Sequence, residues 1–361
     1  MTTNFRKAYY SSLGVKTVEV KPSVENVLQG KFLSIDRLNK LCLWIRIPHF
    51  YRPVVWKLLL GVTSVHKEAW SFIAQQRQEH FEDLKEAVFL LTGKSIDGMD
   101  DDLTPLLLAQ MVLLELTHDT PHTVTQMLES IEPPAHLMGL AHAFLEISDA
   151  SDHDAFWICL HFIKKLRIDI FEVPEVNSES CIPSNTHVSS ASTANYRYGA
   201  GAYTAHLQST APEKTLLVPA GQAFTNDIKS DIETLIHLLG LHNAGLLEHI
   251  RRLGVSLHEA CRGWFQCCFA NVISSHAIEG VWDIVIGGAP GILPYLGLCL
   301  LLCSGRKIEA CRSSQEFILL ISQIEKFVDV DSVANMSIDL WEIPVLECMT
   351  KETRRLLGYR F

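Results

Sequence analysis

The sequence contains no run of lysine or arginine, and 41 acidic residues against 31 basic ones give it a formal net charge of −10. Proteins that bind nucleic acid neutralise phosphates with clustered Lys and Arg side chains, so we expect no nucleic-acid partner. The most apolar stretch, residues 291–303, contains Pro294 and is shorter than the roughly 20 residues that a membrane-spanning helix needs. It predicts a core helix and no transmembrane segment.

Other patterns that carry chemistry are also missing. The ten cysteines form no CxxC pair and the Met1 end has no signal-peptide pattern, which predicts reduced thiols in a cytoplasmic protein. The sequence contains no GxSxG, GxxxxGK or GxGxxG motif, so neither serine hydrolysis nor a phosphate-binding loop is indicated. Residues 97–102 are acidic but lack the ligand spacing of a calcium loop, and four histidines have no acidic partner at metal-ligand spacing: His237, His242, His249 and His258. We expect no metal and no cofactor.

Apolar residues recur at helical spacing along most of the chain, and alternation typical of strands is scarce. Helix-start signals precede two of the apolar segments: DLTP at 102–105, and Ser151 or Asp152. These patterns predict an all-α protein of about a dozen helices. One predicted stripe should face the core and leave Phe89 on another side of its helix; its members are Phe81, Leu84, Val88 and Leu91.

Residues 174–212 interrupt the helical pattern. They are rich in Ser, Ala, Thr, Gly and Asn, without periodicity, and are longer than most loops inside a compact domain. They predict a disordered insertion within a single domain that covers 1–345. Its N-terminal lobe would span about 20–171 and its C-terminal lobe about 216–345, followed by a tail at 346–361.

Three stretches, in the same order, resemble the TBC domain of Rab GTPase-activating proteins. They are YRPVVWKLLLG at 51–61, LMGLAHAFLEISDASDHDAFWICLHFI at 137–163, and the segment 246–288 with its WF and VWD motifs. The resemblance implies a two-lobed, all-α fold. The positions that carry it are Arg52, Trp56, Gly61, Gly139, Trp157, His249, Trp264, Trp282 and Asp283.

The same resemblance bears on catalysis. Active members of the family use an arginine of an IxxDxxR helix and a glutamine of a YxQG segment to stabilise the transition state of GTP hydrolysis, where an inserted arginine is worth about 10³ to 10⁵ in rate. This chain has no arginine between Arg77 and Arg167, and Met138 falls at the glutamine position. A thioether cannot donate a hydrogen bond, and Lys94 is a poor replacement for a guanidinium. The resemblance therefore implies no catalytic residue.

Residues 4–21 and 38–61, together with SIDLW at 337–341, resemble one non-catalytic branch of the family. That branch is a subunit of the tuberous sclerosis complex of hamartin and tuberin. The resemblance implies a scaffold that binds the hamartin coiled coil directly and tuberin indirectly, and so supports inactivation of Rheb and restraint of the TOR kinase pathway. It also implies a cytoplasmic protein that its partners recruit to lysosomal or vesicle membranes.

The predicted helices at 77–91 and 103–116 carry more large apolar residues than one buried stripe needs. Because an amphipathic helix docks in a groove through apolar anchors, they are the candidate site for the coiled coil. The candidate contact residues are Phe89, Leu107, Met111 and Leu114.

Two alternatives stay open at the level of sequence. The first is an active Rab GTPase activator with displaced catalytic groups, for which Arg46 and Arg52 would be tested, although the family frame makes Arg52 structural. The second is an adaptor that binds a Rab without catalysis, since affinity and rate acceleration rest on different contacts. A Rab or Rheb-type GTPase is therefore a further candidate partner.

Overall fold

The computed structural model describes residues 20–93, 104–117, 133–147, 151–168 and 227–348, with side chains only between 24 and 342. In these ranges the chain is helical, with a single bridge between Phe32 and His66. The predicted all-α class is confirmed. The α-helices are α1 (Val20–Leu28), α2 (Ile35–Trp44), α3 (Arg52–Leu59), α4 (Trp70–Thr92), α5 (Pro105–Thr117), α6 (Ala135–Ile147), α7 (Asp152–Leu166), α8 (Ile228–His242), α9 (Ala244–Arg252), α10 (Leu257–Ala260), α11 (Arg262–Gln266), α12 (Ser275–Ile286), α13 (Leu293–Cys303), α14 (Gly305–Ala310), α15 (Ser314–Ser322) and α16 (Val330–Cys348).

Several predictions concern residues outside the described ranges. These are the insertion at 174–212, the acidic turn at 97–102, Lys94, and the tail beyond residue 348. The described residues fall in one compact unit, which comprises Met1–Ile170 and Leu216–Phe361. Helix α16 continues to Cys348, past the predicted domain end at 345.

Side-chain caps explain where two predicted helices begin. The Ser151 hydroxyl accepts a hydrogen bond from the Asp154 N–H at 3.0 Å, so Ser151, rather than Asp152, caps α7. The Thr104 hydroxyl accepts one from the Leu107 N–H at 3.2 Å at the start of α5. Both helices start where the sequence signals predicted.

Helix α13 is the core helix predicted from the apolar run at 291–303. Pro294 lies in its first turn, where a missing N–H costs nothing, and most of its side chains are buried. It packs against α8 and α16. Among the described helices, none is both long and apolar enough to cross a membrane.

An aromatic cluster joins four helices around Trp282 of α12. The Trp282 ring stacks on Phe144 of α6 at 4.7 Å between centroids and lies 5.1 Å from Phe162 of α7 and 6.3 Å from Trp56 of α3. Its indole N–H donates to the Cys268 carbonyl at 3.1 Å, so the buried polar atom has a partner. This cluster positions the first part of the chain against α12.

The stripe predicted along α4 is correct except at its end. Phe81, Leu84 and Val88 are buried, whereas Leu91 is 44% exposed, so its prediction as a core residue is wrong. The reason is geometric. A 100° step per residue places Leu91 at the edge of the stripe, in the last turn before Gly93, where fewer elements can cover it.

Candidate functional site

A buried ion cluster holds α3 against α12. The Arg52 guanidinium donates from Nε to Asp283 Oδ1 at 3.0 Å and from Nη2 to Asp283 Oδ2 at 3.1 Å. Nη2 also donates to the Ile47 carbonyl at 2.7 Å, and Nη1 lies 2.7 Å from a carboxylate oxygen of Glu279. The Trp56 indole N–H donates to Asp283 Oδ1 at 2.8 Å. The cluster thus joins residues far apart in sequence by charge-assisted hydrogen bonds.

Burial dominates the electrostatics of this cluster. It raises the pKa of Asp283 to about 6, because desolvation outweighs the favourable contacts with Arg52 and Trp56. Burial opposes the charged form of Arg52 as well, but Asp283 and Glu279 raise the pKa of its guanidinium overall. Both groups are therefore charged at neutral pH.

The cluster also decides what Arg52 can do. Arg52 is 2% exposed, donates from Nε and Nη2 to Asp283 and Ile47, and pairs with Glu279 through Nη1, so its guanidinium is held in the core away from the surface. Arg46 is exposed and lies 3.9 Å from Glu279. Among the described residues, Arg52 therefore holds α3 against α12, whereas Arg46 lies at the surface near Glu279.

Met138, which the sequence comparison predicted at the glutamine position, is half-buried in the first half of α6, after the buried His136. The next residue, Gly139, is buried where the Asn271 side chain packs against the helix, and a Cβ atom there would overlap the Asn271 carboxamide. Asn271 Nδ2 donates to the Ala135 carbonyl at 3.4 Å. Helix α6 itself contains no asparagine, glutamine, lysine or arginine.

Lysines are the cations of the arginine-free interval. Of those in the described ranges, Lys85 is buried, and Lys164 lies on the surface at 3.7 Å from Glu115. Lys165 donates to the carbonyls of Leu59 at 2.9 Å and Ile286 at 3.2 Å, at the ends of α3 and α12. Burial lowers the pKa of Lys165 to about 8. Both carbonyl contacts hold Lys165 between helices rather than at a reaction site.

The remaining residues that carried the family resemblance also contribute to packing or to local backbone geometry. Gly61 follows α3 with φ +77°, a left-handed conformation that glycine adopts readily. Trp157 is buried in α7 and donates to the Arg77 carbonyl at 3.2 Å. Trp264 is buried in α11, and His249 is half-buried in α9. The structure does not gather these residues into one polar site.

The four candidate contact residues divide into two pairs. Leu107 and Met111 are buried in α5, so in this conformation they belong to the core. Phe89 and Leu114 are half-buried and keep some side-chain surface. The partner groove stays a prediction, and only Phe89 and Leu114 of its four residues present surface to a partner.

The structure adds exposed leucines that the sequence reasoning did not single out. Leu90 in the last turn of α4 is 68% exposed. Leu91, the next residue, and Leu106, at the start of α5, are exposed as well. Burial of large apolar residues is the default, so a helix end that exposes several indicates an interaction surface. The signal available in the sequence was FLLT before Gly93, where consecutive apolar residues cannot all face the core.

Comparison with known proteins finds one family model that matches part of the chain, and relatives that are similar to it along most of its length. The Rab-GTPase-TBC domain model matches residues 220–308. Among curated relatives, TBC1 domain family member 7 of Danio rerio is 24% identical over 341 residues, which cover 94% of both chains. The protein of the same name from Homo sapiens is 24% identical over 339 residues, again with 94% of both chains covered.

A solved structure shows the same fold. The crystal structure of the Ypt/Rab-GAP domain of Gyp1p superposes with a TM-score of 0.52 at 12% identity, covering 91% of this chain and 99% of that one. At this identity the likeness concerns architecture alone, because one fold hosts many functions. The two-lobed TBC fold expected from the sequence is thereby confirmed, and the chain is similar over nearly its whole length to TBC1 domain family member 7.

Proposed function

We propose that the protein is a non-catalytic TBC scaffold that binds the hamartin coiled coil and stabilises the hamartin–tuberin complex. In this role it supports inactivation of Rheb and negative regulation of TOR complex 1 signalling. It works in the cytoplasm and reaches lysosomal or vesicle membranes through its partners. The similarity to TBC1 domain family member 7 over 94% of the chain supports the proposal.

One observation carries the non-catalytic part: Met138 stands where the family's glutamine is expected, in a chain without arginine between Arg77 and Arg167. Phosphoryl transfer to water needs a donor for the charge that develops on the equatorial oxygens and a group that orients the water. A thioether supplies neither. In the described part of the interval, Lys85 is buried and Lys165 is bonded to helix-end carbonyls.

The exposed leucines at the end of α4 support the binding part. His80 of α4 lies 3.3 Å from Glu115, near the end of α5, and the two helices pack against each other. Leu90 and Leu91 are exposed in the last turn of α4, and Leu106 is exposed at the start of α5. Together with the half-buried Phe89 they offer apolar anchors to an amphipathic helix.

The catalytic claim is tested by GTP hydrolysis assays with a panel of Rab proteins and Rheb, with and without the purified protein. We expect no acceleration of hydrolysis by any of them, because the interval between Arg77 and Arg167 contains no arginine for the transition-state charge. An established Rab GTPase activator serves as positive control. Acceleration above about tenfold that is lost on Lys94→Ala would contradict the proposal and support an activator with displaced catalytic groups.

The binding claim is tested by calorimetric titration with the C-terminal coiled-coil segment of hamartin. We expect saturable binding that is weakened at least tenfold by Leu90→Glu, because the new charge would be desolvated against an apolar partner surface. Leu241→Glu is the matched control: Leu241 in α8 is 69% exposed, as Leu90 is 68% exposed, but it lies on another helix.

Three outcomes separate the alternatives. Binding that Leu90→Glu weakens and Leu241→Glu does not supports the scaffold and its surface. If both variants leave binding unchanged, the surface that binds hamartin lies elsewhere on the protein, and the scaffold proposal stands. Absence of binding to hamartin, together with binding to a GTP-loaded Rab without hydrolysis, would overturn the proposal in favour of a Rab adaptor.

A further inference from the structure

A groove of about 410 Å³ lies at the other end of α4 from the exposed leucines. The loop at 61–64 forms one wall, and the first turns of α4 form the other, with Phe72, Ile73, Gln76 and Arg77. Phe72 is 67% exposed, although it is a large apolar residue. The groove therefore combines an uncovered aromatic ring with one cation.

Arg77 is held in this groove by a ring rather than by a carboxylate. Its guanidinium lies 4.1 Å from the centre of the Trp157 indole, and the Trp157 N–H donates to the Arg77 carbonyl at 3.2 Å. Burial lowers the pKa of Arg77. Within the described residues, no carboxylate forms an ion pair with its guanidinium at 4 Å or less.

The charge around Arg77 is incompletely balanced. Glu115 is the acidic group whose field reaches Arg77, but its two oxygens also lie 3.3 Å from His80 and 3.7 Å from Lys164. Burial lowers the pKa of the neighbouring His161 to about 4, and the positive charges of Arg77 and Lys164 contribute to the shift. One carboxylate thus faces the two cations Arg77 and Lys164 on a protein whose net charge is −10.

We infer that this groove receives a carboxylate side chain, Asp or Glu, from the partner coiled coil, while an apolar neighbour of that residue packs on Phe72. The inference rests on the proposed function. It adds a polar contact with the coiled coil to the apolar contact proposed for the exposed leucines of α4 and α5. Charge complementarity selects the occupant, because a half-buried guanidinium already stacked on an indole is preorganised to bind a carboxylate in two-pronged fashion. Coiled coils often carry glutamate at the positions that flank their apolar seam.

Two neighbouring glutamines provide a matched test. Gln76 lines the groove, whereas Gln75 does not, yet both are exposed and both donate to the Glu79 carboxylate, at 3.1 Å and 2.9 Å. Gln76→Glu and Gln75→Glu therefore add the same charge to the same helix and disturb the same local hydrogen bond. Only the first places it beside the incoming carboxylate.

The experiment titrates the full-length chain with the hamartin coiled-coil segment at low and at moderate salt. We expect Gln76→Glu to weaken binding about fivefold at low salt, Gln76→Lys to strengthen it by a similar factor, and Gln75→Glu to change little. Arg77→Gln should weaken binding and flatten its salt dependence, and Arg77→Lys should recover part of the loss. Circular dichroism checks that the Arg77 variants are folded.

The outcomes distinguish this inference from the proposed function. If the wild-type chain binds but Gln76→Glu and Gln75→Glu behave alike, the groove is not the carboxylate site, and the scaffold proposal stands. Unchanged affinity and salt dependence in folded Arg77→Gln would overturn the inference in the same way. If the wild-type chain does not bind the segment at either salt concentration, both fail together.

Discussion

The side chain of Asn271 occupies the space that a Cβ atom on Gly139 would need. Gly139 follows Met138 in α6, and Asn271 belongs to the segment between α11 and α12. The Asn271 amide also donates to the Ala135 carbonyl, in the first turn of α6. Asn271 therefore holds the start of α6 against the second half of the chain, next to Met138.

This contact predicts that Gly139→Ala lowers the free energy of unfolding by about 1–3 kcal/mol, because the added methyl group forces Asn271 or the helix to move. The loss should occur although alanine is the better helix former by roughly 1 kcal/mol. Urea denaturation of both proteins measures it. Gly263→Ala is the control, since nothing lies within 4 Å of a Cβ atom there. Equal stability of the two variants would refute the steric argument.

The buried ion cluster predicts a large effect of Asp283→Asn. Removal of this charge leaves the buried Arg52 guanidinium without its two-pronged partner, and breaking a buried pair in this way costs about 3–5 kcal/mol. Thermal or urea unfolding measures the loss. Glu68→Gln, which breaks the solvent-exposed pair with Lys31, should leave stability nearly unchanged. A small effect of Asp283→Asn would mean that Glu279 alone compensates Arg52.

His161 predicts a specific pH dependence. Its pKa is lowered to about 4 in the folded chain, chiefly by burial, and an unfolded histidine titrates near 6.5. Below pH 6.5 the unfolded state takes up the proton first, so the contribution of His161 to stability is present above pH 6.5 and is lost as pH falls towards 4. The loss is on the order of 2–3 kcal/mol over that range.

The raised pKa of Asp283, about 6, opposes this trend over part of the same range, so the comparison must be made between variants. We expect the stability of His161→Gln to fall less than that of the wild-type chain between pH 7 and pH 4.5. Urea midpoints at several pH values measure both slopes. Identical slopes for the two proteins would contradict the prediction. They would mean that His161 takes up its proton over the same pH range in the folded and the unfolded state.

Thiol reactivity should follow burial. Burial raises the pKa of the Cys159 thiol and that of Cys42, and both lie in the core, whereas Cys303 is exposed at the end of α13. Because the thiolate reacts and must be reached by the reagent, Cys303 should be alkylated far faster than Cys42 or Cys159 in the native protein. Peptide mass spectrometry after a short pulse of iodoacetamide measures the order, and denaturant should abolish the difference.

Local signals were enough for much of the helical framework. Caps at Thr104 and Ser151 start α5 and α7 at the predicted places, since an N-cap needs only its own first turn. The apolar run around Pro294 became a buried helix because no other environment accommodates so many apolar side chains. The prediction that Leu91 is buried was wrong, because periodicity gives the direction of a side chain on the helix but not how much of the helix its neighbours cover.

The candidate site was less accessible to prediction. The proposed loss of catalytic groups rests on Met138 and the arginine-free interval, because it depends on residue type, which the sequence alone gives. The burial of Leu107 and Met111, and the exposure of Leu90, depend on which helices pack against α4 and α5. Apolar composition cannot separate a core face from a binding face.

The sequence by itself determined the helical class, the core run of α13 and the TBC-like architecture. Each of these depends on residue type and short-range spacing. Only the tertiary structure decided that Arg52 bonds to Asp283, that Asn271 packs on Gly139, and that Arg77 lies in an open groove without an ion-pair partner among the described residues. These contacts join residues distant in sequence, and their energies depend on burial and on charges that several helices bring together.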